Sequence, residues 1–158
     1  DGSALGNPGP AGAGIWIRGP GVPEELHAVA LGQGDNNDAE MQAIRIGLGR
    51  ATALAGRFAE GAAAKIPLLL FSDSLGCLGY LLEGWKTAVE RRLARATKAA
   101  YRTCKEDFEV ALIWVRGHAQ VPGNELADEQ AKKGAKRARD TRLQRPAHEL
   151  SIGVDAPT

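Results

Sequence analysis

No stretch of this chain is apolar for anything near the ~20 residues that a membrane-crossing helix needs, so a transmembrane segment is excluded. No basic-then-apolar leader opens the sequence, so secretion is not expected. Cysteine is scarce. The 2 present, Cys77 and Cys104, form neither a zinc-ligand pattern nor a disulfide framework, and reduced thiols in an intracellular compartment, cytoplasmic or nuclear, are the plain expectation. No internal repeat is visible. What is there is ordinary globular composition, 44% apolar and 25% charged over 158 residues, enough for one core and too little for two.

The net charge of +1 hides a split. Residues 1–83 carry 5 Lys/Arg against 9 Asp/Glu, whereas residues 84–145 carry 15 against 8. A basic half beside an acidic half suits a protein that holds a polyanion while keeping carboxylates for another task. A basic face is, however, more often simply a solvated one.

The first 14 residues hold 5 glycines and 2 prolines, and Gly6-Asn7-Pro8-Gly9-Pro10 within them reads as a tight turn. Ile15 to Arg18 and Leu26 to Leu31 follow as short strands. Met41, Ile44, Leu48, Ala51 and Leu54 recur at helical spacing, with Asn36 and Asn37 as N-cap candidates and fraying expected over Gly56 to Ala64. Ile66 to Phe71 and Val110 to Val115 read as strands buried on both faces. Helices are expected over Ser74 to Leu82, Ala88 to Lys105 and Asn124 to about Arg137, the last after a Pro122-Gly123 turn. In the second of these, Arg91, Arg95, Lys98, Arg102 and Lys105 fall within about 40° of one line, opposite Val89, Leu93, Ala96, Ala100 and Cys104. From Arg139 no apolar period continues, and a tail outside the core is expected. The order of elements predicts an α/β domain with a mixed sheet, in which right-handed crossovers place the strands ending at Ser72 and Arg116 in parallel.

Four carboxylates sit where an acid is awkward or well aimed. Each has a structural explanation: Asp73 as a helix cap, Glu40 in a capping box with Asn37, Asp128 in an ion pair with Lys132, and Asp1 as a chain end. Together they occupy positions that such a sheet gathers at one edge. Converging acids repel unless a divalent cation neutralises them, and hard oxygen donors suit Mg²⁺, with Mn²⁺ as substitute. Two such ions clamping a phosphodiester is a hydrolytic device. His118, in a Gly-containing loop, is either an idle surface histidine or a proton carrier beside these acids.

These residues resemble the ribonuclease H type 1 family. The blocks are Asp1-Gly2-Ser3-Ala4-Leu5-Gly6-Asn7-Pro8-Gly9-Pro10, Asn36-Asn37-Asp38-Ala39-Glu40, Ser72-Asp73-Ser74, Trp114-Val115-Arg116-Gly117-His118 and Gly123-Asn124-Glu125-Leu126-Ala127-Asp128, in the family's order across residues 1–137. The resemblance implies a five-stranded mixed sheet flanked by helices, with the first strand truncated, a domain over 1–137 and a flexible tail over 138–158. It implies that Asp1, Glu40, Asp73 and Asp128 hold two Mg²⁺ ions, with His118 assisting proton transfer and product release. The activity implied is hydrolysis of the RNA strand of an RNA–DNA hybrid to 5′-phosphate and 3′-hydroxyl ends. Gly2, Ser3, Asn7, Asn36, Asn37 and Asn124 match substrate-contacting positions, and Trp85-Lys86-Thr87 looks like the segment that holds the DNA strand.

The chain also departs from the family. A basic insertion common before Gly84-Trp85-Lys86-Thr87 is absent, and the cationic row from Arg91 to Lys105 is a candidate replacement through phosphate contacts. Leu75 stands where relatives often carry Gln, and the apolar residues that usually precede the first acid do not appear. The Trp-Val-Arg-Gly-His and Gly-Asn-Glu-Leu-Ala-Asp blocks resemble ribonuclease H domains of retroelement reverse transcriptases, which implies a polymerase domain in the parent chain. A monomer is expected. The alternatives are a hybrid-binding module without catalysis and a nuclease or strand transferase acting on DNA.

Overall fold

The computed structural model describes residues 1–57 and 64–150. Five strands and four α-helices follow one another as β1 (Gly2–Ala4), β2 (Gly9–Gly19), β3 (Val22–Gly34), α1 (Asn36–Leu54), β4 (Ile66–Ser72), α2 (Leu75–Glu83), α3 (Arg91–Asp107), β5 (Phe108–Trp114) and α4 (Pro122–Asp140). Short 3₁₀ turns follow α1 at Ala55–Arg57 and close the described chain at Ala147–Glu149. The expected α/β fold is present. Among the described residues the strands hydrogen-bond as two ladders, antiparallel β1-β2-β3 and parallel β4-β5, because β1 offers only 3 residues and all of them pair with β2.

The glycine-rich opening is mostly strand rather than turn. Only residues 5–8 reverse the chain, with a cis Asn7–Pro8 bond, and β2 runs on from Gly9. The glycines serve close approach of α4. A Cβ on Gly12 would meet the Ala135 nitrogen at 2.1 Å, and one on Gly14 the Ala127 oxygen at 1.9 Å. Ala131, Ala135 and Ala138 of α4 fill the rest of this contact with no measurable exposure, while Ala11 and Ala13 point to the opposite face of β2. Small residues therefore let a helix lie on the sheet backbone, giving β2 one fully covered face.

α1 divides two apolar clusters. Met41, Ile44, Leu48 and Ala51 pack with α2, α3 and the inner residues of β4 and β5, whereas Ala39, Ala43 and Ile46 face Ala11, Ile15 and Leu31. The two-sided burial expected of β4 and β5 is not found. Leu68, Leu70, Val110 and Leu112 pack inward, while Leu69, Phe71 and Trp114 are about half exposed on the opposite face.

Helix boundaries also shift. Asp35, not Asn36 or Asn37, caps α1, its carboxylate accepting from the Asp38 N–H at 2.8 Å. α3 begins three residues later than expected because the Glu90 carboxylate caps it, accepting from Arg92 and Leu93. α4 starts at Pro122, whose missing N–H costs nothing in a first turn. The expected tail outside the core is corrected over 141–150. Ala147 is fully buried, Gln33 bridges to Pro146, and Gln42 Nε2 donates to the Ala147 oxygen at 2.8 Å. The signal missed was polar: backbone groups of this segment satisfy side chains of β3 and α1, which leaves no apolar period. The fraying expected between Gly56 and Ala64 falls largely outside the described residues, as do residues 151–158.

Candidate active site

The parallel register pairs Ser72 with Trp114, so β4 and β5 end side by side. The Val115 N–H donates to the Ser72 oxygen at 3.0 Å, and Trp114 Nε1 donates to the Asp73 backbone oxygen at 3.2 Å. These bonds fix the backbone of Asp73 where it leaves the strand. Its carboxylate does not cap α2; the Ser74 hydroxyl does, accepting from the Cys77 N–H. Likewise, with Asp35 as cap, Glu40 lies five residues past the cap and plays no part in a capping box. Both acids thus lose the structural explanation that the sequence allowed them.

Asp1 reaches the same point through β1. The Asp1 ammonium donates to the Gly14 oxygen at 2.9 Å, and the Gly14 N–H donates back to the Asp1 oxygen at 2.8 Å. Gly2 then passes so close to α1 that a Cβ would stand 2.2 Å from the Ala39 carbon and the Glu40 nitrogen. Only glycine allows this contact, and it delivers Asp1 beside Glu40.

Carboxylate oxygens of Asp1, Glu40 and Asp73 all lie within 4.8 Å of one another. Glu40 Oε2 is buried without a hydrogen-bond partner. Burial pushes the Glu40 carboxyl up to about 7, the Asp1 ammonium and the Gly2 N–H pull it back, and the charges of Asp73 and Asp128 raise it further. A buried acid with an orphaned oxygen, facing two more acids, is a site that lacks positive charge. The donor set is all oxygen and half-buried, which fits a hard divalent cation such as Mg²⁺ or Mn²⁺. Asp128 lies close enough for its charge to reach Glu40, but its Oδ2 is taken by Lys132 Nζ, as the i,i+4 spacing suggested.

The other expected residues are placed as follows. His118 is exposed on the β5–α4 loop, with a left-handed backbone at φ 53°. The preceding Gly117 lies against Asp73, since a Cβ there would stand 2.8 Å from its Oδ2. Asn7 and Asn36 are exposed but internally oriented. Asn7 Oδ1 accepts from the Asn36 N–H at 3.0 Å, and Asn36 Oδ1 accepts from the Ala4 N–H at 2.9 Å. Both carboxamides spend their oxygens on the protein and keep NH₂ donors for a ligand. Ser3 lies in β1, Asn37 is exposed in the first turn of α1, and Asn124 is half-buried in the first turn of α4.

Trp85 is 44% exposed, its ring against Gly79 and its Nε1 donating to Glu83 at 2.7 Å. Lys86 is exposed, and the Thr87 hydroxyl accepts from the Val89 N–H. Arg91, Arg95, Arg102 and Lys105 line the exposed face of α3, with Lys98 half-buried over the Tyr80 ring. Residues that sequence reasoning passed over are Trp114, through its bond to Asp73, and Lys132, which was read as an ordinary helix pair.

The family model for RNase H matches residues 1–136. The chain belongs to the RNase H family. It is 34% identical over 141 residues to the ribonuclease H of Rhizobium johnstonii, covering 85% of this chain and 87% of that one. It is 35% identical over 151 residues to the ribonuclease H of Hyphomonas neptunium, covering 88% and 91%. Among solved structures, the N-terminal RNase H domain of a Mycobacterium tuberculosis protein matches with a TM-score of 0.66 at 24% identity, over 85% of this chain and 94% of that chain. A compost-derived RNase H1, solved in complex with an RNA/DNA hybrid, matches with a TM-score of 0.57 at 21% identity, over 84% and 94%. Both structural likenesses establish the RNase H fold.

Proposed function

We propose that this protein hydrolyses the RNA strand of RNA–DNA hybrids in a divalent-metal-dependent reaction that leaves 5′-phosphate and 3′-hydroxyl ends. The observation that carries the reading is the convergence of Asp1, Glu40 and Asp73 within 4.8 Å, with one Glu40 oxygen buried and unpartnered. Membership of the RNase H family and the hybrid bound by a structural neighbour support the substrate.

Asp1, Glu40, Asp73 and Asp128 would hold two Mg²⁺ ions, or Mn²⁺ in their place. Bound there, such ions supply Lewis acidity toward a phosphate oxygen and lower the pKa of a coordinated water. The chain's own contribution is placement. β4 and α1 hold Asp73 and Glu40 on rigid elements, so little reorganisation accompanies binding. The free amide donors of Asn7 and Asn36 meet acceptors, namely minor-groove base atoms and the 2′-oxygen that only the RNA strand carries. Asn37, Asn124, Gly2 and Ser3 take part in these contacts. Trp85, Lys86 and Thr87 receive the DNA strand, and the cations of α3 add phosphate contacts without sequence preference. His118 carries protons at its imidazole during product departure.

The test is cleavage of an end-labelled RNA strand, annealed to DNA, to RNA or left single, with and without Mg²⁺. Mg²⁺-dependent cleavage confined to the hybrid is expected. Equal cleavage of RNA–RNA duplexes removes the substrate assignment, and salt-sensitive hybrid binding without cleavage in Mg²⁺ or Mn²⁺ favours a binding module.

A further inference from the structure

Asp128 is the one expected ligand outside the acidic cluster, and it carries a cation of its own. Its Oδ2 accepts a hydrogen bond from Lys132 Nζ one helical turn further on. The two side chains differ in setting: that of Lys132 is 51% exposed and that of Asp128 only 19%. The ammonium reaches inward from solvent, so it can withdraw without leaving a cavity. Nor does α4 depend on the pair for its packing, which runs through Ala127, Ala131, Ala135 and Ala138. Such a pair on a helix surface adds little to stability. Its effect falls on the site instead, because the same Asp128 charge acts on Glu40.

Resting on the reading above, we propose that Lys132 is a resident counter-ion that competes with divalent cations for Asp128 and so sets the divalent concentration at which the carboxylate site fills. In the ion-free protein, Lys132 neutralises Asp128 and limits its repulsion of the other three acids. A divalent cation shared with Asp128 must displace this ammonium and accept its residual repulsion. Lys132 is thus a positioning residue, acting through Asp128 and not on the substrate. The charge is essential and the stem is not, so arginine fulfils the role and glutamine does not.

Calorimetric titration of the full chain with Mn²⁺, without nucleic acid, tests this. Lys132→Gln is expected to lower the apparent Kd by about two- to fivefold, the range of a partly exposed ion pair, while Lys132→Arg stays near the unsubstituted protein. In an Asp128→Asn background, Lys132→Gln is expected to change nothing. Hybrid cleavage by Lys132→Gln should reach half-maximum at a correspondingly lower Mg²⁺ concentration. Unchanged or weaker Mn²⁺ binding by Lys132→Gln overturns the proposal, as does the same gain in the Asp128→Asn background. If the unsubstituted protein cleaves hybrid and binds Mn²⁺ but Lys132→Gln binds it no more tightly, only this inference falls. If it binds no Mn²⁺, the metal-dependent reading falls with it.

Discussion

Glu25 and Glu40 are both poorly exposed glutamates on neighbouring elements, and the fold treats them in opposite ways. On β3, Glu25 accepts two hydrogen bonds from Arg50, at 2.7 and 2.8 Å, and a third from His27 at 2.7 Å. The Arg50 bonds lead in pulling its carboxyl down to about 2. At the start of α1, Glu40 has the Asp1 ammonium and the Gly2 N–H beside it, one bare buried oxygen, and a carboxyl pushed up to about 7. The fold thus satisfies one partly buried acid with protein donors and sets the other beside two more acids with an oxygen bare, an arrangement consistent with an external cation. Glu25 is expected to matter for stability and Glu40 for function.

Substitutions at the two positions should therefore separate cleanly. Glu40→Gln, like Asp73→Asn, is expected to reduce hybrid cleavage by at least ~10²-fold, since a ligand to a charge-stabilising ion is worth several kcal/mol in the transition state. Glu25→Gln should leave the rate constant within about twofold. Comparable losses from both would erase the distinction.

The next largest effect concerns stability against pH in the absence of metal. The folded-state pKa of Glu40 lies above the unfolded value of 4.5, so stability is lost as pH rises from about 4.5 to about 7. Chemical denaturation at pH 8 should find Glu40→Gln more stable than the unsubstituted protein by up to about 3 kcal/mol, with the gap closing below pH 5.

Glu25 should show the reverse dependence. Its folded-state pKa is depressed, so its contribution is present above about 4.5 and is lost as pH falls toward 2. Glu25→Gln is expected to cost about 1–2 kcal/mol at pH 7, after allowance for solvent screening, and almost nothing near pH 2. The smallest effect is a rise in melting temperature with added Mn²⁺. This shift should be larger at pH 8 than at pH 6, because bound ion and the Glu40 proton exclude one another. Thermal melts at both values would show it, and Glu40→Gln should abolish the pH difference.

The sequence made the four acids legible because their spacing and neighbouring blocks are specific, and three of them do meet. It misplaced what depends on tertiary contact. Gly9 read as turn because glycine's commonest use is a turn, whereas it opens β2 packed against the Leu5 backbone; at Gly12 and Gly14 the missing Cβ admits α4. Ile66 to Phe71 read as buried twice over because an apolar run does not say how many faces are covered; Leu69 and Phe71 are half exposed. The stretch around Ala147 read as a loose tail because it is held by side chain–backbone hydrogen bonds. The Asp128–Lys132 pair was legible from its spacing, but only the structure shows that the paired acid lies outside the three-carboxylate cluster.

The central claim is that Asp1, Glu40 and Asp73 together form a divalent-cation site. Crystals soaked in Mn²⁺ near pH 8 and measured at a wavelength where manganese scatters anomalously test it most directly. The account predicts an anomalous peak bounded by oxygens of those three carboxylates, lost in Glu40→Gln. A well-ordered crystal with no peak there, or with manganese bound only elsewhere, would contradict it.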